Sequence, residues 1–292
     1  MIFCNECYNS ILFFMKTGIY ISRFLLFSFF FIPRGIYAQT SMTNVSAKNS
    51  LSLNGDWQII VDWYNRGIGM GIYKDKQPEN KTVFYEFAFA SQILKVPSDC
   101  NSHDPKLQYY EGDMWYKKVF DYSEKNGART FIHFAAVNYS ADIFFNGNKI
   151  GSHERGFAPF QIELTGMFKD KNNSLVVRLN NQRREDAIPA LSFDWWNYGG
   201  ITRDVTLIET PNDYREDYLI QLEKESHCNI GAWGNICGHG KAQKITISIP
   251  DVKTAYTMVA DTSGYDYFKA KVKSSYGISL FIKTKNIKSC LS

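Results

Sequence analysis

Long apolar runs are scarce in this 292-residue chain: the longest, FLLFSFFFI at 24–32, has nine residues. A helix needs about 20 apolar residues to cross a bilayer, so this run is too short to be a membrane anchor. A strong charge of either sign is missing as well. Residues 1–38 hold Lys16, Arg23 and Arg34 against Glu6, which leaves 30 basic and 28 acidic residues, a net of +2, for the remainder. With no basic field and no nucleic-acid-binding motif, a nucleic-acid partner is excluded. The segment GSHERGFAPF at 151–160 has the glycines of a phosphate loop but no Gly-Lys-Ser/Thr and no helix signal after it. Cysteine is sparse. Cys4 and Cys7 form a lone C-x-x-C near the start, too little for a metal or redox site, and no metal or cofactor is expected. Cys228 and Cys237 could close a small loop in an oxidising compartment, but spacing does not fix the geometry and the pairing stays open.

Aromatic residues, by contrast, are abundant. They make up 16% of the chain, with 18 Tyr, 22 Phe and 6 Trp, an excess that favours β-structure and surfaces that grip apolar faces. From about Leu51 the chain reads as short strands separated by turns. Asn146-Gly147, between SADIFF and NKIGS, is the dipeptide of a tight hairpin. NNSLVVRLNN reads as a strand after an Asn-Asn turn, and RDVTLIE and KITISIP alternate in period two, with Ile245, Ile247 and Ile249 on one face. No sustained 3.6-residue apolar rhythm intervenes, so the expected class is all-β, a sandwich rather than a βαβ sheet. Residues 1–38 read as a leader: from Met15, a charged start, a short apolar core, a break at Pro33 and a small residue at Ala38. A periplasmic or secreted location follows, with no membrane association once the leader is removed.

The stretch LSFDWWNYGGITRDVTLIETP, Leu191 to Pro211, is harder to read as plain structure. A core would take Trp195, Trp196 and Tyr198 but not Asp194 and Asn197 beside them. A solvated loop would take the polar pair but not the rings. Gly199 and Gly200 permit a sharp turn before the next strand.

Five blocks in a single order place this stretch in a wider pattern: LSLNGDWQI, VPSDCN, YYEGDMWYKKVF, HFAAVNYSADIFFNGNKIGSHERGFAPF and the stretch itself. Together they resemble the N-terminal sugar-binding domain of glycoside hydrolase family 2, over roughly Leu51 to Pro211, and the β-glucuronidase-like members in particular. The resemblance implies a jelly-roll, galactose-binding-like β-sandwich over 39–211, followed by a partial immunoglobulin-like β-sandwich over 212–292. It implies that Asp194 reaches into the pocket of a catalytic barrel and contacts sugar hydroxyls, as a carboxylate able to accept two charge-assisted hydrogen bonds can. Trp195, Trp196 and Tyr198 would wall that pocket, Asn197 would be a further substrate-binding residue, and Asn101 would orient hydroxyls through its amide. Two departures stand out: Cys100 replaces the usual aromatic before Asn101, and Arg155 a usual glycine.

Retaining glycosidases need two carboxyl groups about 5–5.5 Å apart. In this family both are glutamates on a (β/α)8 barrel, which takes about 250 residues. Only 82 residues follow Thr210 and they read as strands; the sole Asn-Glu pair, which in the family marks the acid/base, is Asn5-Glu6 in the leader. No catalytic residue is therefore expected here. The tail from Lys269, with six lysines and no acid, fits either a solvated basic strand pair or the end of an interrupted reading frame. The implied function is the non-catalytic, sugar-contacting part of a secreted β-glycosidase. The alternatives are a stand-alone carbohydrate-binding module or an accessory subunit of a separate barrel-bearing chain.

Overall fold

The computed structural model describes residues 41–74, 87, 91–192, 194–224, 229–238, 244–249, 254–259 and 266–273. The leader, Cys4 and Cys7 lie outside them, and so does Cys228, with which Cys237 was left open to pair. Among the described residues no helix is long and apolar enough to cross a membrane.

Ten strands build the first part of the chain: β1 (Asn49–Ser52), β2 (Gly55–Asp62), β3 (Gln92–Val96), β4 (Asp113–Phe120), β5 (Ala128–Phe134), β6 (Ser140–Phe145), β7 (Asn148–Glu154), β8 (Phe160–Glu163), β9 (Asn173–Asn180) and β10 (Val205–Pro211). They form a four-stranded sheet in the order β1-β10-β5-β8 and a six-stranded sheet in the order β3-β2-β4-β9-β6-β7. Every pairing is antiparallel. From β4 to β10 the chain crosses repeatedly between the sheets, which is the winding of a jelly roll. The all-β jelly-roll sandwich expected from the sequence is the fold of this part.

The strands pair this way because their apolar residues alternate. Leu175, Val177 and Leu179 of β9 face the space between the sheets, where they meet Trp57, Tyr116, Phe134 and Phe160, all fully buried. The intervening Val176 points the other way, into a second cluster with Ile60, Trp115 and Phe144. The six-stranded sheet is thus covered on both faces near its middle. Asn146 (φ 50°) and Gly147 (φ 85°) make the β6–β7 hairpin, as that dipeptide allows, both in the left-handed region.

Five further strands follow: β11 (Tyr214–Leu222), β12 (Asn229–Cys237), β13 (Lys244–Ile249), β14 (Thr254–Val259) and β15 (Asp266–Lys273), paired as β11-β12-β15 and β13-β14. Their described core is small: Ala232, Ile236, Ile245 and Ile247, with Tyr218 and Ile220 against it. Ile245 and Ile247 share one face as their alternation predicts; the side chain of Ile249 lies outside the described set. The segment before β1 ties the two parts together. Thr43 N donates to Glu216 O at 3.1 Å, and Lys48 Nζ to Arg215 O at 2.7 Å.

Two histidines are built into the sandwich. His133 on β5 is buried, and that burial holds its imidazole below the usual value, with the Asp204 charge pulling the other way. His153, stacked on Phe160 at 4.0 Å, is lowered in the same way, burial first. In the unfolded chain both take a proton near pH 6.5. Because the unfolded state then binds more protons than the native state, the contribution of these two groups to stability is constant above about pH 6.5 and falls as the pH drops below it. Urea unfolding at pH 7.5 and pH 5 is expected to show that fall, reduced in His133→Gln. An equal fall in wild type and variant would remove His133 as a source.

Candidate functional site

The loop between β9 and β10 is held from below by four buried asparagines, Asn101 and Asn138 from distant parts of the chain and Asn181 and Asn197 from the loop itself. Asn101 Nδ2 donates to Leu107 O (2.9 Å) and Tyr110 O (3.0 Å), while its Oδ1 accepts from Gly199 N at 2.9 Å. Asn138 Nδ2 donates to Tyr198 O at 2.6 Å. Asn181 Nδ2 donates to Tyr110 O at 3.1 Å, its Oδ1 accepts from Gly112 N at 2.9 Å, and Asn197 Nδ2 donates to Asn181 O. An amide suits this task because it donates and accepts at once, so backbone groups turned inward by the loop find partners without a buried charge.

The two glycines make the close approach. A Cβ on Gly199 would lie 2.3 Å from Asn181 Nδ2, and one on Gly200 (φ 138°) 2.7 Å from Ser98 O. Gly200 also forms an isolated antiparallel bridge with Asn138, with hydrogen bonds of 2.9 and 3.1 Å. Cys100 N donates to Gly199 O at 2.7 Å, which pins the VPSDCN turn under the same loop. Cys100 itself is buried, and burial, reinforced by the Asp99 charge, pushes its thiol up to about 12. It therefore stays a neutral thiol and fills space rather than reacting.

Above this floor the predicted site residues separate into two layers. Asp194, Trp195, Trp196 and Tyr198 are exposed, the three rings by 53%, 38% and 49%. Trp196 lies 5.3 Å from the ring of Tyr109 and 6.3 Å from that of Tyr198, so three rings line one side of the loop. Among the described residues Asp194 accepts no hydrogen bond and joins no ion pair, so its carboxylate is available to solvent. Asn197 and Asn101, expected to face sugar, lie instead beneath the loop at 6% and 4% exposure. Their amides are engaged with the backbone, so they shape the surface rather than form it.

Sequence reasoning did not single out Asn138, Asn181 or Tyr109. The first two sit in polar turn-like contexts, VNYS and LNNQ, that look like ordinary loop punctuation. The loop NNQRREDAIPA behaves as its charges suggest. Arg183 pairs with Glu111 at 2.9 Å, and Arg184 with Asp186 at 2.7 Å and with Glu154. Among the described residues no group of three or more His, Cys, Asp or Glu is placed to hold a metal ion.

The arrangement is a ring-lined surface carrying the unpaired Asp194 carboxylate, suited to a ligand with both hydroxyls and flat apolar faces. Comparison with known proteins points the same way. The model of the glycosyl hydrolases family 2 sugar binding domain matches residues 51–211. A β-glucuronidase of Bacteroides fragilis is 35% identical over 156 residues, covering 47% of this chain and 22% of that protein. A β-galactosidase of Thermoanaerobacter pseudethanolicus is 29% identical over 157 residues, covering 50% of this chain and 21% of that protein. The chain thus spans less than a quarter of the length of either relative. In fold it is similar to Bifidobacterium dentium β-glucuronidase complexed with coumarin-3-O-glucuronide, with a TM-score of 0.62 at 21% identity, over 78% of this chain and 42% of that one. With more than half of its length matched by that model, the chain belongs to glycosyl hydrolase family 2, through the family's sugar-binding domain.

Proposed function

We propose that this chain is the non-catalytic, sugar-contacting part of a secreted β-glycosidase of family 2. In this reading it supplies one wall of a pocket whose reactive carboxyl groups belong to a (β/α)8 barrel. The observation that carries the reading is the outward Asp194 carboxylate among exposed rings, held over a floor of asparagines. Asp194 accepts hydrogen bonds from sugar hydroxyls, Trp195, Trp196 and Tyr198 cover the apolar face of the ring, and Asn101 and Asn197 hold the loop in place. The apolar faces of the same rings suit a barrel surface packed against them. β-Glucuronides and β-galactosides are the substrate classes that the relatives' names suggest.

Two measurements test this. The purified chain is expected to release no aglycone from p-nitrophenyl β-glucuronide or β-galactoside; release that an active-site inhibitor abolishes would overturn the non-catalytic role. Titration calorimetry with glucuronate and galactose reads the wall itself. Millimolar heat that disappears in Asp194→Ala would assign a stand-alone binding module. Absence of heat would mark a wall completed only by a barrel. Binding that Asp194→Ala leaves unchanged would sink the role of Asp194. Since Asp194 is exposed and unpaired, the substitution is expected to leave stability within about 0.5 kcal/mol of wild type.

A further inference from the structure

A second ring-lined cleft lies at the end of β2. It measures about 570 Å3, within the size range of small-molecule sites, and is lined by Trp63, Tyr64, Arg66, Gln92, Asp104 and Lys106 over a floor that includes Ile60 and Leu107. Trp63 and Tyr64 are 56% and 73% exposed, although they directly follow a strand whose inner residues are fully buried. An exposed indole is normally free to change rotamer, but Trp63 is braced. Its ring meets that of Tyr110 edge-on, centroids 4.8 Å apart, and the Tyr110 hydroxyl is fixed by donating to Asp113 O at 2.6 Å.

The turn that carries these rings is fixed from its inner side. The buried carboxylate of Asp62 accepts from Arg66 N (2.9 Å), Gly67 N (2.7 Å) and Trp115 Nε1 (3.2 Å). Asn65, in the left-handed region at φ 51°, accepts from Arg178 Nη2 at 3.3 Å. A Cβ on Gly67 would fall 2.3 Å from the Trp115 indole nitrogen, so only glycine fits there. A flat apolar face is thus held ready in water, which lowers the ordering cost of binding.

We propose that this cleft is a second saccharide-binding site, separate from the Asp194 loop, that takes a pyranose unit of an oligosaccharide. The C–H face of a pyranose stacks on an indole, while its hydroxyls need both donors and acceptors around the rim. Arg66 and Lys106 supply donors, Gln92 supplies both, and Asp104 supplies an acceptor oxygen beyond the one that caps Lys106 N at 2.9 Å. A protein partner fits less well, because Asp104 and Lys106 on the rim are of types depleted from protein interfaces, although Arg66 and the two rings are not. A nucleic acid fits no better against a rim that contains Asp104 and a chain close to neutral. The residues involved are not those of the Asp194 loop, so this assignment stands or falls independently of it.

The test uses the full chain and three probes, xylohexaose, cellohexaose and a hexameric oligogalacturonate, in titration calorimetry. At least one is expected to bind. Trp63→Ala is expected to weaken that binding about tenfold or more, the size of one lost ring contact. Trp63→Phe is expected to keep most of it, and Asp194→Ala to change it less than about twofold. Thermal melts of the Trp63 variants should match wild type, since the side chain is more than half exposed. The proposal is overturned if none of the three probes binds, if Trp63→Ala binds like wild type, or if Asp194→Ala abolishes binding as fully as Trp63→Ala. The last outcome would place the saccharide on the loop and support the proposed function instead.

Discussion

Arg178→Met is expected to destabilise the sandwich by about 3 kcal/mol, because it leaves a buried carboxylate without its counter-charge. Arg178 on β9 donates to Asp113 of the neighbouring β4 through Nε at 2.9 Å and Nη2 at 2.5 Å, and to Asp142 of β6 through Nη1 at 3.2 Å. The side chain of Asp113 is 1% exposed, so water cannot replace the guanidinium. Asn180 Nδ2 still donates to Asp113 at 2.6 Å, and Lys149 still pairs with Asp142 at 2.6 Å, which keeps the loss toward the lower end for a broken buried pair. Methionine preserves most of the apolar stem, so the effect is electrostatic rather than one of packing. Urea unfolding should show a lower midpoint with an unchanged slope. Adding Asp113→Asn should recover part of the loss, since the stranded charge is then gone. A single variant within 0.5 kcal/mol of wild type, roughly the change common for surface positions, would refute the account. By contrast Arg184, whose ion pairs are with exposed carboxylates, should be replaceable with little change.

Asn101→Ala is expected to cost about 2 kcal/mol and to loosen the Asp194 loop together with the fold. The substitution strips an acceptor from Gly199 N and a donor from Leu107 O, both in the buried interior beneath the loop. Tyr110 O keeps Asn181 as a donor and Leu107 O keeps Tyr110 N at 2.9 Å, so one group, Gly199 N, is left without a partner. Hydrogen exchange should become faster at Gly199 and Gly200, and the melting temperature should fall. An Asn101 that touched sugar directly would behave differently: the variant would melt like wild type and lose only binding. That outcome would return Asn101 to the contact layer.

These two variants mark the boundary between what residue patterns disclose and what they conceal. The strands of the sandwich were readable because alternation is a local property: once Leu175, Val177 and Leu179 share a face, only one face of β9 can turn to the main core. The Asn146-Gly147 hairpin was readable for the same reason, since its backbone needs two positive φ angles that few residue pairs adopt. The exposure of Asp194 followed from chemistry, because a lone carboxylate beside indoles has no inexpensive place in a core. Whether Trp195 and Trp196 were core or surface could not be read from their identity, because an indole suits either.

The amino-acid order alone, then, determined an all-β chain, its family and the loop that bears the exposed Asp194 carboxylate, because strand periodicity, turn chemistry and charge are carried by neighbouring residues. Tertiary structure alone decided that Asn101 and Asn197 lie under that loop and not on it, and that Asn138 and Asn181 join them. It also decided that Trp63 is locked edge-on against Tyr110. Each of those facts depends on hydrogen bonds or ring contacts between residues tens of positions apart, such as Asn101 with Gly199 and Asp62 with Trp115. Along the chain an asparagine that punctuates a turn and one that braces a site are the same letter; only the burial of their amides tells them apart.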